Sequence, residues 1–248
     1  MIRTLGVALA AGISMLVVGG IAILGAYVGF PRGYYDWAAR TWSRIILWTS
    51  GIRVRVLGLE HIRRDGPQVI AANHQSMYDV YILATRIPVR YHFVAKRELR
   101  RIPVFGRAAA AAGHVFIDRA DRSSAIESLR RAGAKMHEAR SSAVVFPEGT
   151  RSRTGELQPL KKGPFRMALE AGVPIVPTVL DGTFDILPKG GRRIRPREVT
   201  IWFGDPVDPT AYGYVNRDAL IAEVHGRMKT MLDTLRGRAR VDSPTGAE

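Results

Sequence analysis

The longest unbroken apolar pattern lies at the N-terminus. From Thr4 to Pro31 no residue is charged. As a helix these 28 positions would extend about 42 Å, against about 30 Å for a bilayer hydrocarbon core. The segment is long enough to span a membrane, or to enter one as a bent or re-entrant element. Six glycines lie inside it, and Gly25-x-x-x-Gly29 would let another helix approach closely. A cleaved signal peptide fits less well, because Arg3 alone supplies the charged start and the apolar run is too long. The next stretch, "YYDWAARTWSRIILW", holds three of the four tryptophans. On a helix, Tyr35, Ala38, Trp42, Ile45 and Ile46 share one face, and Asp36, Arg40, Ser43 and Arg44 the other. That pattern predicts a helix in the headgroup region, with arginines near lipid phosphates. An amphipathic helix packed on the domain would show the same periodicity.

Beyond residue 51 short apolar runs alternate with helical periods. The runs predict strands at Arg53–Leu57, Gln68–Ala72, Tyr91–Ala95, His114–Ile117, Ser142–Phe146, Pro174–Leu180 and Glu198–Phe203. Several lack strict alternation, as strands covered on both faces do. Helices are predicted at Asp79–Arg86, Pro103–Ala112, Ala125–Ala139, Pro164–Ala171 and Arg217–Arg236. Ser124 with Glu127 fits a capping box, and Pro164 with Gly172 fits a proline-first, glycine-last helix. The expected architecture is α/β: a mostly parallel central sheet flanked by helices, with an N-terminal membrane-embedded helical element. The expected organisation is 1–50 membrane-associated helices, 51–237 the α/β domain, and 238–248 a disordered tail ending in "DSPTGAE".

Charge narrows the partners. There are 37 Lys plus Arg against 22 Asp plus Glu, a net +15. Such an excess favours anionic partners: nucleic acid, acidic lipid headgroups, phosphorylated substrates or an acidic carrier protein. Cationic residues are denser after the apolar segment (Arg32, Arg40, Arg44, Arg53, Arg55) than before it, which predicts a cytoplasmic main domain. Cysteine is absent, which excludes disulfides, thiolate metal sites and cysteine nucleophiles.

Three stretches carry candidate chemistry. In "VIAANHQSMYDVYIL" an apolar run ends at Asn73-His74, and Asp79 follows five residues after the histidine. On one continuous helix those two side chains would point about 140° apart. They meet only if His74 lies in a strand-to-helix turn and Asp79 in the first helical turn. A carboxylate on one ring nitrogen holds the imidazole in one tautomer and makes the other nitrogen a better base. A surface histidine beside a capping aspartate is the plainer reading of the pair alone. In "AVVFPEGTRSR" a strand runs into Pro147-Glu148-Gly149-Thr150-Arg151, a tight turn where ligands bind in open α/β sheets. Gly149 permits close approach, and Arg151 offers a planar fork suited to phosphate. Glu148 accepts hydrogen bonds, from a substrate hydroxyl or from Arg151 itself. A solvated turn with a surface ion pair is the alternative. Lys96 and Arg119 each follow an apolar strand and bring positive charge to the same sheet edge; Arg97, Arg100, Arg101 and Arg107 read as solvated or membrane-facing surface.

Taken together, these stretches resemble the 1-acylglycerol-3-phosphate acyltransferase family, the PlsC-type phospholipid acyltransferases, from about residue 52 to 205. His74-x-x-x-x-Asp79 is similar to the family's catalytic motif. "KRELRRIPVFGRAAAAAGHVFIDR" resembles its second block, with Lys96, Pro103, Gly106, Gly113 and Arg119 in place. "FPEGTR" resembles the third block and "VPIVPT" the fourth. The resemblance implies the glycerol-phosphate acyltransferase fold. It also implies transfer of an acyl group from acyl-CoA or acyl carrier protein to the sn-2 hydroxyl of lysophosphatidic acid, giving phosphatidic acid. His74 would be the base, oriented by Asp79. Arg119 and Arg151 would bind the acceptor phosphate with help from Lys96, and Glu148, Gly149 and Thr150 would line that pocket. An oxyanion must form, and the sequence does not identify the donor that stabilises it; a backbone N–H near the helix start is one candidate. No cofactor or metal is implied. The implied partners are the lysophospholipid acceptor, the acyl donor and an anionic membrane surface, not nucleic acid; the implied place is the cell membrane, with the catalytic domain on its cytoplasmic face. Glycerol 3-phosphate, another lysophospholipid or a lyso-aminolipid is an alternative acceptor. A basic membrane tether without activity and a metal hydrolase built on His74, Asp79 and Glu148 are competing classes.

Overall fold

This computed structural model describes residues 1–118 and 122–241, apart from the side chains of 122–126 and 238–241. The elements are α1 (Ile2–Ser14), a π-helical stretch (Met15–Gly19), α2 (Gly20–Val28), α3 (Arg32–Ser50), β1 (Arg53–Leu57), β2 (Val69–Ala72), α4 (Tyr78–Arg86), β3 (Tyr91–Lys96), α5 (Phe105–Ala111) and β4 (Val115–Ile117). Then come α6 (Arg122–Glu138), β5 (Ser142–Val145), α7 (Lys162–Ala171), β6 (Ile175–Asp181), α8 (Thr183–Ile186), β7 (Glu198–Phe203) and α9 (Arg217–Val241).

Seven strands form one sheet in the order β1-β7-β6-β2-β5-β3-β4. Every pairing is parallel except β6 with β7. The short central strands are apolar throughout because both faces are covered. Ile70, Ala72 and Val144 face a cluster containing Ile82, Leu83, Ile46 and Leu47 from α4 and α3. Val69, Ala71, Ala143 and Val145 face Met136, Phe165, Val224 and Met228 from α6, α7 and α9. The sheet is therefore the middle of three layers. Seven of its residues, Ile70, Ala72, Val144, Val176, Leu180, Ile201 and Phe203, are fully buried on the α3–α4 side.

Several local expectations change. The sixth helix starts at Arg122, so Ser124 lies inside its first turn and not at the N-cap. Glu127 pairs forward instead, with Arg130 at 2.9 Å and Arg131 at 3.6 Å. The last helix continues to Val241, into the segment expected as tail; 242–248 lie outside the described residues. Gly172 does end α7 in the left-handed conformation. A Cβ on Gly106 would overlap the Arg100 carbonyl, so only glycine lets α5 start against the preceding turn.

The N-terminal helices differ most from the pattern-based picture. Gly29 is left-handed and terminates α2, so Gly25 and Gly29 do not form a helix-packing face. The close approach is at Gly19, where a Cβ would meet the Val104 side chain at 2.8 Å. The α1–α2 segment lies along the domain. Thr4 Oγ1 accepts the Ile194 N–H at 3.1 Å, Val7 belongs to the core cluster, and Trp42 Nε1–H donates to the Ala11 carbonyl at 3.1 Å. Leu5, Leu9, Ile13, Leu16, Ile21 and Leu24 remain exposed on the outer side, with Trp37 and Trp48 from α3. Arg40 does not point toward solvent. It donates to the carbonyls of Ile87 (2.6 Å) and Val89 (2.9 Å) and lies over the Tyr91 ring. Asp36 pairs with Arg90 at 3.3 Å. Asp36 and Arg40 of α3 thus grip the segment that follows α4, from Ile87 to Tyr91, while Arg44 stays exposed.

Candidate active site

β2 and β5 are neighbours in the middle of the sheet and run parallel, so their C-terminal ends open on the same edge. That is where an open α/β sheet places its ligand crevice. The backbone leaves β2 at Ala72 and turns through Asn73-His74-Gln75-Ser76 into α4. Asn73 anchors the turn to β6: its amide donates to the Leu180 carbonyl at 3.0 Å and accepts the Leu180 N–H at 2.7 Å. Tyr78, at the start of α4, is held by a buried 2.6 Å hydrogen bond with Ser50 of α3.

The turn brings His74 and Asp79 together, at 2.8 Å between Nδ1 and Oδ2. The same Oδ2 accepts the N–H of Gln75 (2.7 Å) and of Ser76 (2.8 Å). A fully buried carboxylate is tolerable here because three donors converge on one oxygen. Since that oxygen only accepts, the imidazole proton sits on Nδ1 and Nε2 keeps its lone pair. No hydrogen bond reaches Nε2 among the described residues. The His74 ring stacks on Phe146, the last apolar residue after β5, with centroids 3.9 Å apart. The amides of Gln75 and Ser76 are engaged by Asp79, so neither is free to be the candidate oxyanion donor near the helix start.

Glu148 joins the two turns. Oε1 accepts the His74 N–H at 2.7 Å, and Oε2 accepts the N–H of Gln158 (3.2 Å) and its side-chain amide (2.7 Å). The residue is 3% exposed, and burial pushes its carboxyl up to about 7 against the hydrogen bonds that lower it. Both oxygens are occupied, so Glu148 fixes the His74 backbone and does not hold Arg151. Gly149 adopts φ +78°, a left-handed conformation that favours glycine. The Thr150 carbonyl accepts the Gln158 amide at 3.0 Å, and the His74 carbonyl accepts the Ser152 N–H at 2.7 Å. Arg151 lies near enough to Tyr81 to act on its hydroxyl, which burial raises to about 12. Lys96 is exposed and pairs with Glu98 at 2.8 Å. Arg119 lies outside the described residues. Among the described residues no cluster of His, Asp and Glu has a metal-holding arrangement.

The family model described as Acyltransferase matches residues 53–181. This chain belongs to the acyltransferase family. It is similar to a 1-acyl-sn-glycerol-3-phosphate acyltransferase of Limnanthes douglasii, 33% identical over 181 residues, which cover 73% of this chain and 64% of that protein. It is similar to human 1-acyl-sn-glycerol-3-phosphate acyltransferase alpha, 36% identical over 162 residues, which cover 65% of this chain and 57% of that protein. The chain spans less than two thirds of the length of these curated relatives. Its fold matches the crystal structure of the 1-acyl-sn-glycerophosphate (LPA) acyltransferase PlsC from Thermotoga maritima. That match has a TM-score of 0.82 and 27% identity, over 100% of this chain and 97% of the other.

Within the family-matched region, pattern reading did not find Gln158, Asn73 or Phe146 as site residues. Gln158 stands ten residues beyond Glu148, with no local signal that its amide folds back. Ser76 sits beside the base but donates its hydroxyl to the Leu187 carbonyl at 2.8 Å, which makes it a tie to the loop after α8.

Proposed function

We propose that this chain transfers a fatty acyl group from an acyl thioester to the sn-2 hydroxyl of lysophosphatidic acid, giving phosphatidic acid. The observation that carries the reading is the His74–Asp79 pair at 2.8 Å with Nε2 unengaged. Family membership and the names of the relatives support the choice of reaction. In the proposed step, His74 Nε2 removes the proton of the acceptor hydroxyl as its oxygen attacks the thioester carbonyl carbon. The negative charge of the Asp79 carboxylate stabilises the imidazolium that forms. Collapse of the tetrahedral intermediate breaks the carbon–sulfur bond, and the imidazolium proton goes to the departing thiolate. No acyl-enzyme is needed, in keeping with the absence of cysteine. Asp79 and Glu148 act by holding His74 through its ring and its backbone. In this reading Arg151 and Arg119 receive the acceptor phosphate, Lys96 assists, and Gly149 and Thr150 line the pocket. The donor is acyl-CoA or acyl carrier protein.

The proposal also places the chain at the cell membrane, with its catalytic domain on the cytoplasmic face. The exposed leucines and isoleucines of α1–α2 form one stripe, while the opposite side packs on the domain along its length. A segment covered on one side in this way suits burial in one leaflet better than a span. The lysolipid would then be met at headgroup depth without full extraction into water. The test is formation of phosphatidic acid from lysophosphatidic acid and acyl-CoA by wild type and His74→Ala side by side, with a panel of other acceptors. Wild type should turn over, and the folded variant should not. Turnover by His74→Ala at the wild-type rate would overturn the mechanism.

A further inference from the structure

The loop between α8 and β7 contains Pro188-Lys189-Gly190-Gly191, beyond residue 181 where the family match ends. One contact ties it to the candidate site, and two hydrogen bonds within it set its shape. The Leu187 carbonyl accepts the Ser76 hydroxyl at 2.8 Å, two residues from His74. The Ile186 carbonyl accepts the Arg195 N–H at 3.0 Å and closes the base of the loop. The Pro188 carbonyl accepts the Gly191 N–H at 2.9 Å, with Gly190 at φ +86°. A positive φ at the third position of a turn is the type II arrangement, and it presents the second residue, Lys189, outward.

Lys189 then reaches the third block: its Nζ donates to Thr150 Oγ1 at 2.8 Å. The Thr150 carbonyl is itself held by Gln158, which also holds Glu148. The ammonium therefore rests on a residue whose backbone is fixed to the same clamp as the His74 backbone. Its only partner there is a neutral hydroxyl, and no carboxylate lies within ion-pair distance of it among the described residues. Lys96, by contrast, is already paired with Glu98. A lysine ammonium and a threonine hydroxyl side by side offer donors to a phosphate oxygen, the lysine acting as a point charge.

We propose that Lys189, resting on Thr150, is a binding residue for the phosphate of the acceptor lipid. The inference rests on the lysophosphatidic acid reading given above. It adds a residue from outside the recognised blocks, carried to the site by the Ser76–Leu187 tie.

Purified full-length protein in mixed micelles provides the test. Lys189→Ala should raise KM for lysophosphatidic acid about ten- to a hundredfold, the value of a charge-assisted hydrogen bond, with kcat nearly unchanged. Lys189→Arg should recover most of the loss. KM for the acyl donor should stay constant, which separates the acceptor phosphate from the phosphates of coenzyme A. Arg192→Ala, in the same exposed loop, should leave both KM values alone. An unchanged acceptor KM, a rise in donor KM alone, or an equal rise with Arg192→Ala would each overturn the proposal. Equilibrium binding of lysophosphatidic acid to His74→Ala, with and without Lys189→Ala, reads the site independently of turnover. Weaker binding of the double variant supports the site even if wild type fails to acylate this lipid, in which case the proposed reaction alone fails. Equal binding refutes the site even where turnover is observed.

Discussion

Asp79 offers the sharpest perturbation, because one oxygen serves three donors. Replacing it with alanine strands the His74 ring N–H and the N–H groups of Gln75 and Ser76. Each unmet buried donor costs about 1–3 kcal/mol, and removing the buried charge returns part of that. A net loss of roughly 3 kcal/mol should lower the unfolding midpoint by roughly 6–12 °C in a chain of this size. Asparagine behaves differently. Two backbone donors face the Oδ2 position, so the amide oxygen must take that place and its NH2 the place of Oδ1, which is buried without a partner. The imidazole keeps its tautomer but loses the charge that stabilises it when protonated. A hydrogen bond to a charged group is worth about 1.5–3 kcal/mol against about 0.5–1.5 for a neutral one; the difference of about 1–1.5 kcal/mol corresponds to a loss in kcat of about 5- to 15-fold. Thiol release from the acyl donor measures kcat, and circular dichroism on heating measures the midpoint. Asp79→Asn with wild-type kcat would refute the orienting role. A loss near 10⁴-fold would refute the amide orientation argued here, because that is the size of effect expected from the wrong tautomer.

Glu148 should leave a pH signature. Its carboxyl titrates near 7 when folded and near its ordinary 4.5 when unfolded, so the native state binds the proton more tightly between those values. The stability it contributes is present below about pH 4.5 and is lost as pH rises through 7, by up to roughly 3 kcal/mol. From about pH 5 to 8 the urea midpoint of wild type should fall relative to that of Glu148→Gln; a constant difference, or a relative rise, would contradict it. At the membrane, Trp37 and Trp48 are 52% and 82% exposed, so Trp37→Ala with Trp48→Ala should weaken sedimentation with anionic vesicles several-fold without moving the unfolding midpoint. Undiminished vesicle binding would remove these side chains from the membrane contact.

Local pattern was enough for the strands and the longer helices beyond residue 51, but it gave no helix at Thr183–Ile186 (α8). Short apolar runs at β2, β5 and β6 signalled strands covered on both faces, since alternate residues there do enter two separate cores. The spacing of His74 and Asp79 required a strand-to-helix turn, and the turn is there. Periodicity reports which side of an element is buried; it does not say which element supplies the partner. The antiparallel entry of β7 beside β6, the grip of Arg40 on Ile87 and Val89, and the burial of Glu148 under His74 all depend on residues far apart in the chain. The same holds for the α1–α2 segment. Its composition determined that it is apolar enough to enter a bilayer. Only its contacts with α3, Val104 and Ile194 decided that one side is already covered by protein. Hydrogen bonds and packing act through space at a few ångströms, so partners separated by 39 residues, as Thr150 and Lys189 are, meet only once the sheet has ordered the strands between them.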